Sequence, residues 1–382
     1  MYIWQHKSWP SFYADPTQLE PRLDVVLALQ QRLLGRASDL TAGLDKDAEL
    51  DALIQSAIKT SEIEGDCLDA ESVRSSVARQ LGLEQTGLPE PARHEASVVQ
   101  MLVSAVRDLE KPLTCRLLCD WQTALFPEPP LLRELAIGKF RDENKGPMQV
   151  VSEKSGKTSV HFEAPPAKNL NQELQAFLTF YNNVLPVHHG IVRAAMAHLY
   201  FITLHPFDDG NGRVARALTD RALAQAENTG VRFYSLSAAI EKNKKGYYQI
   251  LEDTQNCRAV GQENQPLDIT QWLLWFLDTL VEAMEHGLLR IDRVLLKAIF
   301  WKTHAQTVLS ERQVNVLNRL LDGYGLEFRD GLAARHYQSI ADVSKATATR
   351  DVTDLLNKGC LKPIGAGGRS VRYVINQNQS QG

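Results

Sequence analysis

The chain has 382 residues, enough for two or three domains around a sizeable core. Hydrophobic residues make up 44% and charged residues 23%, as in an ordinary globular protein, and a net charge of −4 excludes a globally basic nucleic-acid binder while leaving room for a local basic patch. No apolar run approaches the roughly 20 residues of a membrane span (residues 272–277 come nearest), and the opening Met1-Tyr-Ile-Trp-Gln-His-Lys7 lacks the form of a signal peptide.

Residues 1–40 begin with Trp4, Trp9, Phe12 and Tyr13 and continue into the apolar-spaced Leu23, Val26, Leu27, Leu33 and Leu34, which reads as an aromatic cap followed by a helix. Leu50, Leu53, Ile54, Ala57 and Ile58 then form the i, i+3, i+4, i+7, i+8 stripe of an amphipathic helix. It ends in Thr60-Ser-Glu-Ile-Glu64-Gly65, where Gly65 is placed to be the left-handed residue beyond the C-terminus. Glu64 therefore sits at the negative end of its helix. A carboxylate there either meets a cation or stays solvated at a frayed end. Residues 71–81, 94–109 and 113–126 read as further helices, the first two divided by the Pro- and Gly-bearing 82–91 and the third stopped by Pro127, Pro129 and Pro130.

Two β-prone runs, 148–151 and 159–162, flank a polar turn containing Gly156, and Pro165 and Pro166 end the second, so a hairpin is expected. Helices over 171–182 and 191–204 lead into the most informative stretch, His205-Pro-Phe-Asp-Asp209-Gly-Asn-Gly-Arg-Val-Ala-Arg216. Gly210-Asn211-Gly212 gives a turn its permissive backbone, and 214–226, rich in Ala, Leu, Arg and Gln, starts a helix. A helix start offers unpaired N–H groups and partial positive charge, which attract an anion. Arg213 and Arg216, three apart on one face of the first turn, are badly placed there unless an anion is present. A polyphosphate resolves the conflict, and guanidinium forks suit its oxygens. Asp209 adds a hard oxygen ligand of the kind phosphate-bound Mg²⁺ requires. His205 is the group able to accept a proton near neutral pH. No Gly-Lys-Ser/Thr follows the glycines, which excludes a Walker P-loop.

Beyond this helix, residues 235–239 lead to a segment holding Asn243, Tyr247 and Tyr248; an aromatic pair in such a helix is either core or a nucleotide platform. Residues 267–283 and 291–301 read as two long apolar helices closing the core. From about Ala305, helical segments at 311–321, 336–343 and 348–357 have winged-helix lengths. Strand-like runs at 360–364 and 371–375 follow, joined by a Gly-rich 365–370 suited to a wing. Between 331 and 376, Arg335, Lys345, Arg350, Lys358, Lys362, Arg369 and Arg372 outnumber Asp342, Asp351 and Asp354, a local charge of +4. Such a surface suits DNA phosphates, although winged helices also serve protein contacts. Residues 377–382 read as a disordered tail. The five cysteines are odd in number and scattered, and Cys115 and Cys119 find no second pair to complete a zinc site; reduced thiols and a cytoplasmic protein are expected.

Residues 205–216 resemble the Fic family motif, His-x-Phe-x-(Asp/Glu)-Gly-Asn-Gly-Arg-x-x-Arg, with every specified position filled. The first 80-odd residues, with Ser72-Val-Arg-Ser-Ser-Val-Ala-Arg79, resemble the N-terminal region of one bacterial Fic subgroup. The resemblance implies a mostly α fold: an N-terminal helical region (1–110) carrying an inhibitory helix, a Fic-type core (111–304) with a small β-hairpin flap, and a winged-helix-like domain (305–382). It implies transfer of AMP from ATP to a Ser, Thr or Tyr hydroxyl of a target protein or of the chain itself, with a homodimer also open. His205 would take the hydroxyl proton, Asp209 hold Mg²⁺, and Asn211 with loop N–H groups steady the α-phosphate, while Arg213 and Arg216 bind the outer phosphates. The nucleotide site would comprise Gly210, Asn211, Gly212, Arg213, Val214, Ala215 and Arg216, with Asn243, Tyr247 and Tyr248 near the adenine and Phe207 anchoring the loop. Thr60–Gly65 matches the family's Ser/Thr-x-x-x-Glu-Gly/Asn inhibitory motif, so Glu64 would pair with Arg216 and obstruct the γ-phosphate. The hairpin resembles the flap that holds a target segment extended by strand addition, or is a plain surface hairpin. Two further readings share these residues: an enzyme that removes AMP, with Glu64 aligning a water, and a DNA-binding regulator with a nucleotide-sensing core.

Overall fold

The computed structural model describes the chain except residues 41–43, 84–86, 129–133, 155–156, 184–186, 258–264, 325–326, 329, 365–370 and 378–382. The hairpin tip at Gly156, the stop at Pro129 and Pro130, the 365–370 wing and most of the C-terminal tail lie outside the described residues. Helix formers dominate, and the structure is mostly helical. After a 3-10 turn at Ile3–Gln5 and a short strand β1 (Phe12–Tyr13) come α1 (Pro16–Ser38), α2 (Leu44–Ile63), α3 (Ala70–Leu81), α4 (Arg93–Ala105) and α5 (Cys115–Ala124). The hairpin β2 (Gln149–Lys154) and β3 (Lys157–Glu163) precedes α6 (Leu170–Asn182), α7 (Val187–Leu204), α8 (Asn211–Glu227), α9 (Leu236–Lys242) and α10 (Lys244–Gln255). Strand β4 (Leu267–Asp268), α11 (Thr270–Thr303), α12 (Glu311–Asp322), α13 (Ala334–Ala341), α14 (Lys345–Asn357), β5 (Leu361–Ile364) and β6 (Arg372–Ile375) complete the order.

Helices α7 and α8 pack against each other, joined by the loop at 205–210, and α4, α5 and α9 pack on α8. Of the α8 side chains from Val214 to Ala224, all are buried, including the charged Arg216, Asp220 and Arg221. Arg221 can be buried because its guanidinium donates to the carbonyls of Ala105, Arg107, Asp108 and Lys111 at 2.7–3.1 Å, which ties the α4–α5 connection to α8. Strand β1 pairs in parallel with β4, Phe12 opposite Leu267, so the aromatic opening is locked by a two-residue strand some 255 residues away in sequence. Trp9 and Phe12 meet Tyr200 edge-on at 4.9 and 6.1 Å, which seats that opening on α7.

The two apolar helices expected at 267–283 and 291–301 are one helix of 34 residues, α11. Gly287 lies inside it because nothing larger fits: a Cβ there would stand 2.9 Å from the Phe233 carbonyl oxygen and 2.9 Å from Tyr234 Cβ. The glycine answers a close approach and does not end the helix.

The chain divides into two compact units. The first, Met1–Gly35 with Glu49–Gly287, holds the paired α7 and α8 and the hairpin β2–β3, which is antiparallel with a bulge between Val150 and Val151. The second, Arg36–Ala48 with Leu288–Gly382, has its own core of Phe300, Val316, Leu317, Leu320, Leu332, Tyr337, Val352, Leu355 and Ile375. Among the described residues no helix is long and apolar enough to cross a membrane.

Candidate active site

Helix α7 ends at Leu204, and the chain turns sharply at His205, whose φ of +47° is uncommon for a side-chain-bearing residue. The turn is held from beneath. Phe207, fully buried, stacks on Phe140 at 5.1 Å. Asn211 clasps Phe207 from both sides: its Oδ1 accepts from the Phe207 N–H at 2.9 Å and its Nδ2 donates to the Phe207 carbonyl at 2.8 Å. The Asn211 side chain thus fixes the loop's shape with one N–H and one lone pair, and keeps a second N–H on Nδ2. Arg141, also buried, donates from Nε to the His205 carbonyl at 2.8 Å and from Nη2 to the carbonyls of Pro165 (2.6 Å) and Leu204 (3.2 Å). Gly210 closes the loop with φ +88° and caps α8 without any side-chain acceptor. A Cβ on Gly210 would come within 2.9 Å of Leu125 Cδ1.

The helix begins at Asn211, three residues earlier than the sequence suggests, so Gly212 and Arg213 belong to its first turn. Val214 and Ala215 turn fully buried side chains inward, and the Val214 N–H is already donated to the Gly210 carbonyl at 3.0 Å. Of the proposed nucleotide set these two offer a ligand the least.

His205 is part-buried, with Nδ1 3.2 Å from the Ile202 carbonyl. That contact assigns the proton to Nδ1 and the lone pair to Nε2. Burial pushes the imidazole pKa down to about 4, against the Ile202 carbonyl and the charges of Glu64 and Asp209, which pull it up. The ring is neutral at pH 7 and ready to accept a proton.

Arg216 is 1% exposed. Its Nε donates to Thr60 Oγ1 at 2.7 Å, and its Nη2 donates to the Thr60 carbonyl at 2.9 Å and to Glu64 Oε1 at 2.8 Å. Helix α2 delivers this acid because Gly65, at φ +85°, ends it where Glu64 faces α8. Burial works to raise the Glu64 pKa, but the charge and hydrogen bond of Arg216, with Arg213 and His205, outweigh it and hold the carboxyl below its usual range. Gly212 makes room for the contact: a Cβ there would lie 2.1 Å from Glu64 Oε1. The Glu64 carboxylate therefore rests against the first turn of α8, where an anion would bind.

Arg213 lies 5.4 Å over the Phe126 ring and 3.5 Å from Asp66 Oδ2, which also meets His94 Nε2 at 2.9 Å. Among the described residues, Arg213 Nε and Arg216 Nη1 are buried donors that meet no acceptor in hydrogen-bonding geometry, as fits a site made for oxygens of a ligand. Asp209 accepts from the Gly210 N–H through Oδ1 at 2.6 Å. Among the described residues no three His, Cys, Asp or Glu side chains gather to hold a metal. A single carboxylate fits Mg²⁺ that arrives on phosphates and keeps its waters, and does not fit a metal held by protein alone.

The three residues expected near an adenine separate. Tyr247 is buried, its hydroxyl 2.9 Å from His198 Nε2 and its ring 5.6 Å from Trp275, so it is core. Burial pushes the His198 pKa down to about 3 and keeps that ring neutral. Tyr248 is 42% exposed and donates to the Ile63 carbonyl at 3.0 Å, beside the end of α2. Asn243 caps α10, its Oδ1 accepting from the Gly246 N–H at 3.2 Å. In the hairpin, Val151 and Val160 are about half exposed, and His161 joins Ser152 Oγ at 2.7 Å to Glu252 Oε2 at 3.0 Å.

Sequence reasoning missed Arg141, the role of Thr60 and the Asp66–Arg213 contact. A buried arginine that braces a loop over 60 residues away leaves no local pattern, and the acids next to it in sequence, Asp142 and Glu143, give no sign that backbone carbonyls satisfy it.

Residues 112–223 match the model of the Fic/DOC family, and residues 2–83 match a domain of unknown function, DUF4172. A Fic family protein from Desulfovibrio desulfuricans G20 is similar in structure at a TM-score of 0.50 and 17% identity, over 96% of this chain and 99% of that one. A Fic-domain-containing signaling protein from Bacteroides thetaiotaomicron VPI-5482 matches at a TM-score of 0.51 and 18% identity, over 70% of this chain and 96% of that one. At these identities the likeness is one of fold. The motif, the loop braced around His205 and the family match over the same residues lead to one conclusion: the chain carries a Fic/DOC family domain.

Proposed function

We propose that the protein is a protein adenylyltransferase that moves AMP from ATP to a Ser, Thr or Tyr hydroxyl and is restrained by its own Glu64. Fic domains in general transfer AMP or other nucleotide-derived groups to proteins. The observation that carries the finer reading is the neutral His205 held beside a helix start whose anion position is filled by a carboxylate on Arg216. Nε2 of His205 accepts the proton of the attacking hydroxyl, whose oxygen forms a bond to the α-phosphorus as the bond to the diphosphate breaks. Arg213 and Arg216 orient the outer phosphates, and the free N–H groups at the start of α8 steady charge on the α-phosphate oxygens. Asp209 would hold Mg²⁺, which neutralises phosphate charge when bound. Most of the rate then comes from positioning and charge stabilisation.

Glu64 restrains the reaction by occupying Arg216 and the space over Gly212. The half-exposed valines and open edge of the β2–β3 hairpin suit an extended target segment added as a strand. The test is incubation of the full chain with ATP, GTP, UTP and CTP, each labelled at the α-phosphate, followed by mass spectrometry of the labelled residue. AMP on a hydroxyl side chain is the expected product. Transfer only of another nucleotide, or a phosphoryl group in place of AMP, refutes the assignment.

A further inference from the structure

We infer that the second compact unit is a winged helix that binds double-stranded DNA through the exposed face of α14. The inference is independent of the reaction proposed above. Three helices, α12 to α14, are followed by the antiparallel pair β5–β6. Leu332, between α12 and α13, forms an antiparallel bridge with Tyr373 of β6, held by two hydrogen bonds of 2.7 and 2.9 Å. The sheet order is therefore Leu332, β6, β5, in which the segment between the first two helices pairs with the last strand of the chain. Helices α13 and α14 are joined by Asp342, Val343 and Ser344, with Asp342 at φ +50°, which makes a helix–turn–helix with a three-residue turn. In such a motif the second helix enters the major groove, led by its N-terminal residues.

The side chains of α14 are sorted by charge. Ala348, Asp351, Val352 and Leu355 face inward. Both of its acids are held within the unit: Asp351 by Arg312 at 2.7 Å and by the Tyr337 hydroxyl at 3.1 Å, and Asp354 by Gln313 at 2.8 Å and Lys358 at 2.5 Å. The exposed residues are Lys345, Ala346, Thr349, Arg350, Thr353 and Asn357, two cations and no carboxylate. The Thr349 and Thr353 hydroxyls donate to carbonyls one turn back, at 2.9 and 2.8 Å, and so turn lone pairs outward as acceptors for base amino groups. Arg335 on α13 is exposed as well. Asp342 is exposed in the turn that precedes this helix. A basic, hydroxyl-bearing face, with Asp351 buried and the half-exposed Asp354 paired to Lys358 and Gln313, complements a phosphate-lined groove, and it is not the apolar centre of a protein interface.

The test is fluorescence anisotropy of the full chain with a labelled 30-base-pair duplex of mixed sequence, titrated over a range of salt. Binding should weaken steeply with salt, since each phosphate neutralised contributes about −0.9 to the slope of log K against log salt. Lys345→Glu with Arg350→Glu should lose at least about tenfold in affinity at low salt and flatten the slope by about two, one for each phosphate contact removed. Both side chains are exposed, so the fold should survive, and an unchanged thermal midpoint checks this. Thr349→Asp, which leaves both cations in place, should also weaken binding. Lys242→Glu, an exposed cation in the other unit, should change affinity by less than twofold. Absence of duplex binding at low salt, or binding that the α14 substitutions leave intact, overturns the inference. A face that captures a protein while ignoring the duplex overturns it equally.

Discussion

Replacing Glu64 by glycine should raise self-modification by one to two orders of magnitude. Arg216 is 1% exposed and the Glu64 side chain 30% exposed, with 2.8 Å between Nη2 and Oε1. The pair is too enclosed to be a surface bridge worth under about 1 kcal/mol, yet not sealed enough for the 3–5 kcal/mol lost when a buried pair is broken. A hydrogen bond between charged groups contributes about 1.5–3 kcal/mol, so if ATP must displace this contact, its removal improves productive binding by roughly 10- to 150-fold. Both Thr60 contacts survive the change, so Arg216 stays aimed at the site. Glu64→Gln, which keeps the bulk over Gly212 but loses the charge, should give a smaller gain. Arg216→Ala should lower activity by itself and cancel the gain in the double variant, since both changes act through one contact. The assay is the initial rate of incorporation from ATP labelled at the α-phosphate, with circular dichroism to confirm the fold. Equal or lower activity in Glu64→Gly would refute restraint and favour a role for Glu64 in removing AMP.

His205→Ala should cut transfer by about 10²–10⁴ while leaving ATP affinity, measured by calorimetry, within a few-fold; undiminished labelling would move the base elsewhere. Because burial puts the His205 pKa near 4, its base form is present throughout the neutral range. The kcat/KM profile should therefore stay flat down through pH 6 and fall only toward pH 4–5, and a fall centred near 6.5 contradicts the buried neutral ring. Asp209→Ala should remove most activity together with its dependence on Mg²⁺ concentration, and Mg²⁺-stimulated turnover that persists would place the metal on other groups. Tyr247→Phe should lower stability by about 1–3 kcal/mol, since it strands His198 Nε2 in the core, yet leave the KM for ATP unchanged. A raised KM with unaltered melting would return Tyr247 to the nucleotide.

The order and kind of elements were legible in the sequence wherever a local rule governed them. The α2 stripe and its closing Gly65, the glycines before α8 and the hairpin runs all follow from periodicity and turn chemistry, which act within a few residues. That the motif residues gather on one loop and helix start was legible too, because they lie within twelve positions of the sequence. Contacts closed by the fold were not legible. Two helices were expected at 267–283 and 291–301, and they are one, with Gly287 inside it as a packing requirement set by Phe233 and Tyr234 over fifty residues away. That Asn211 clasps its own loop through both backbone groups of Phe207 was not legible either. Tyr247 and Tyr248 are neighbours of one residue type with opposite fates, since only the packing of α10 decides which ring meets Trp275 and which reaches the end of α2. Arg141 carried no signal at all, because a guanidinium satisfied by three backbone carbonyls needs partners that only the folded chain assembles.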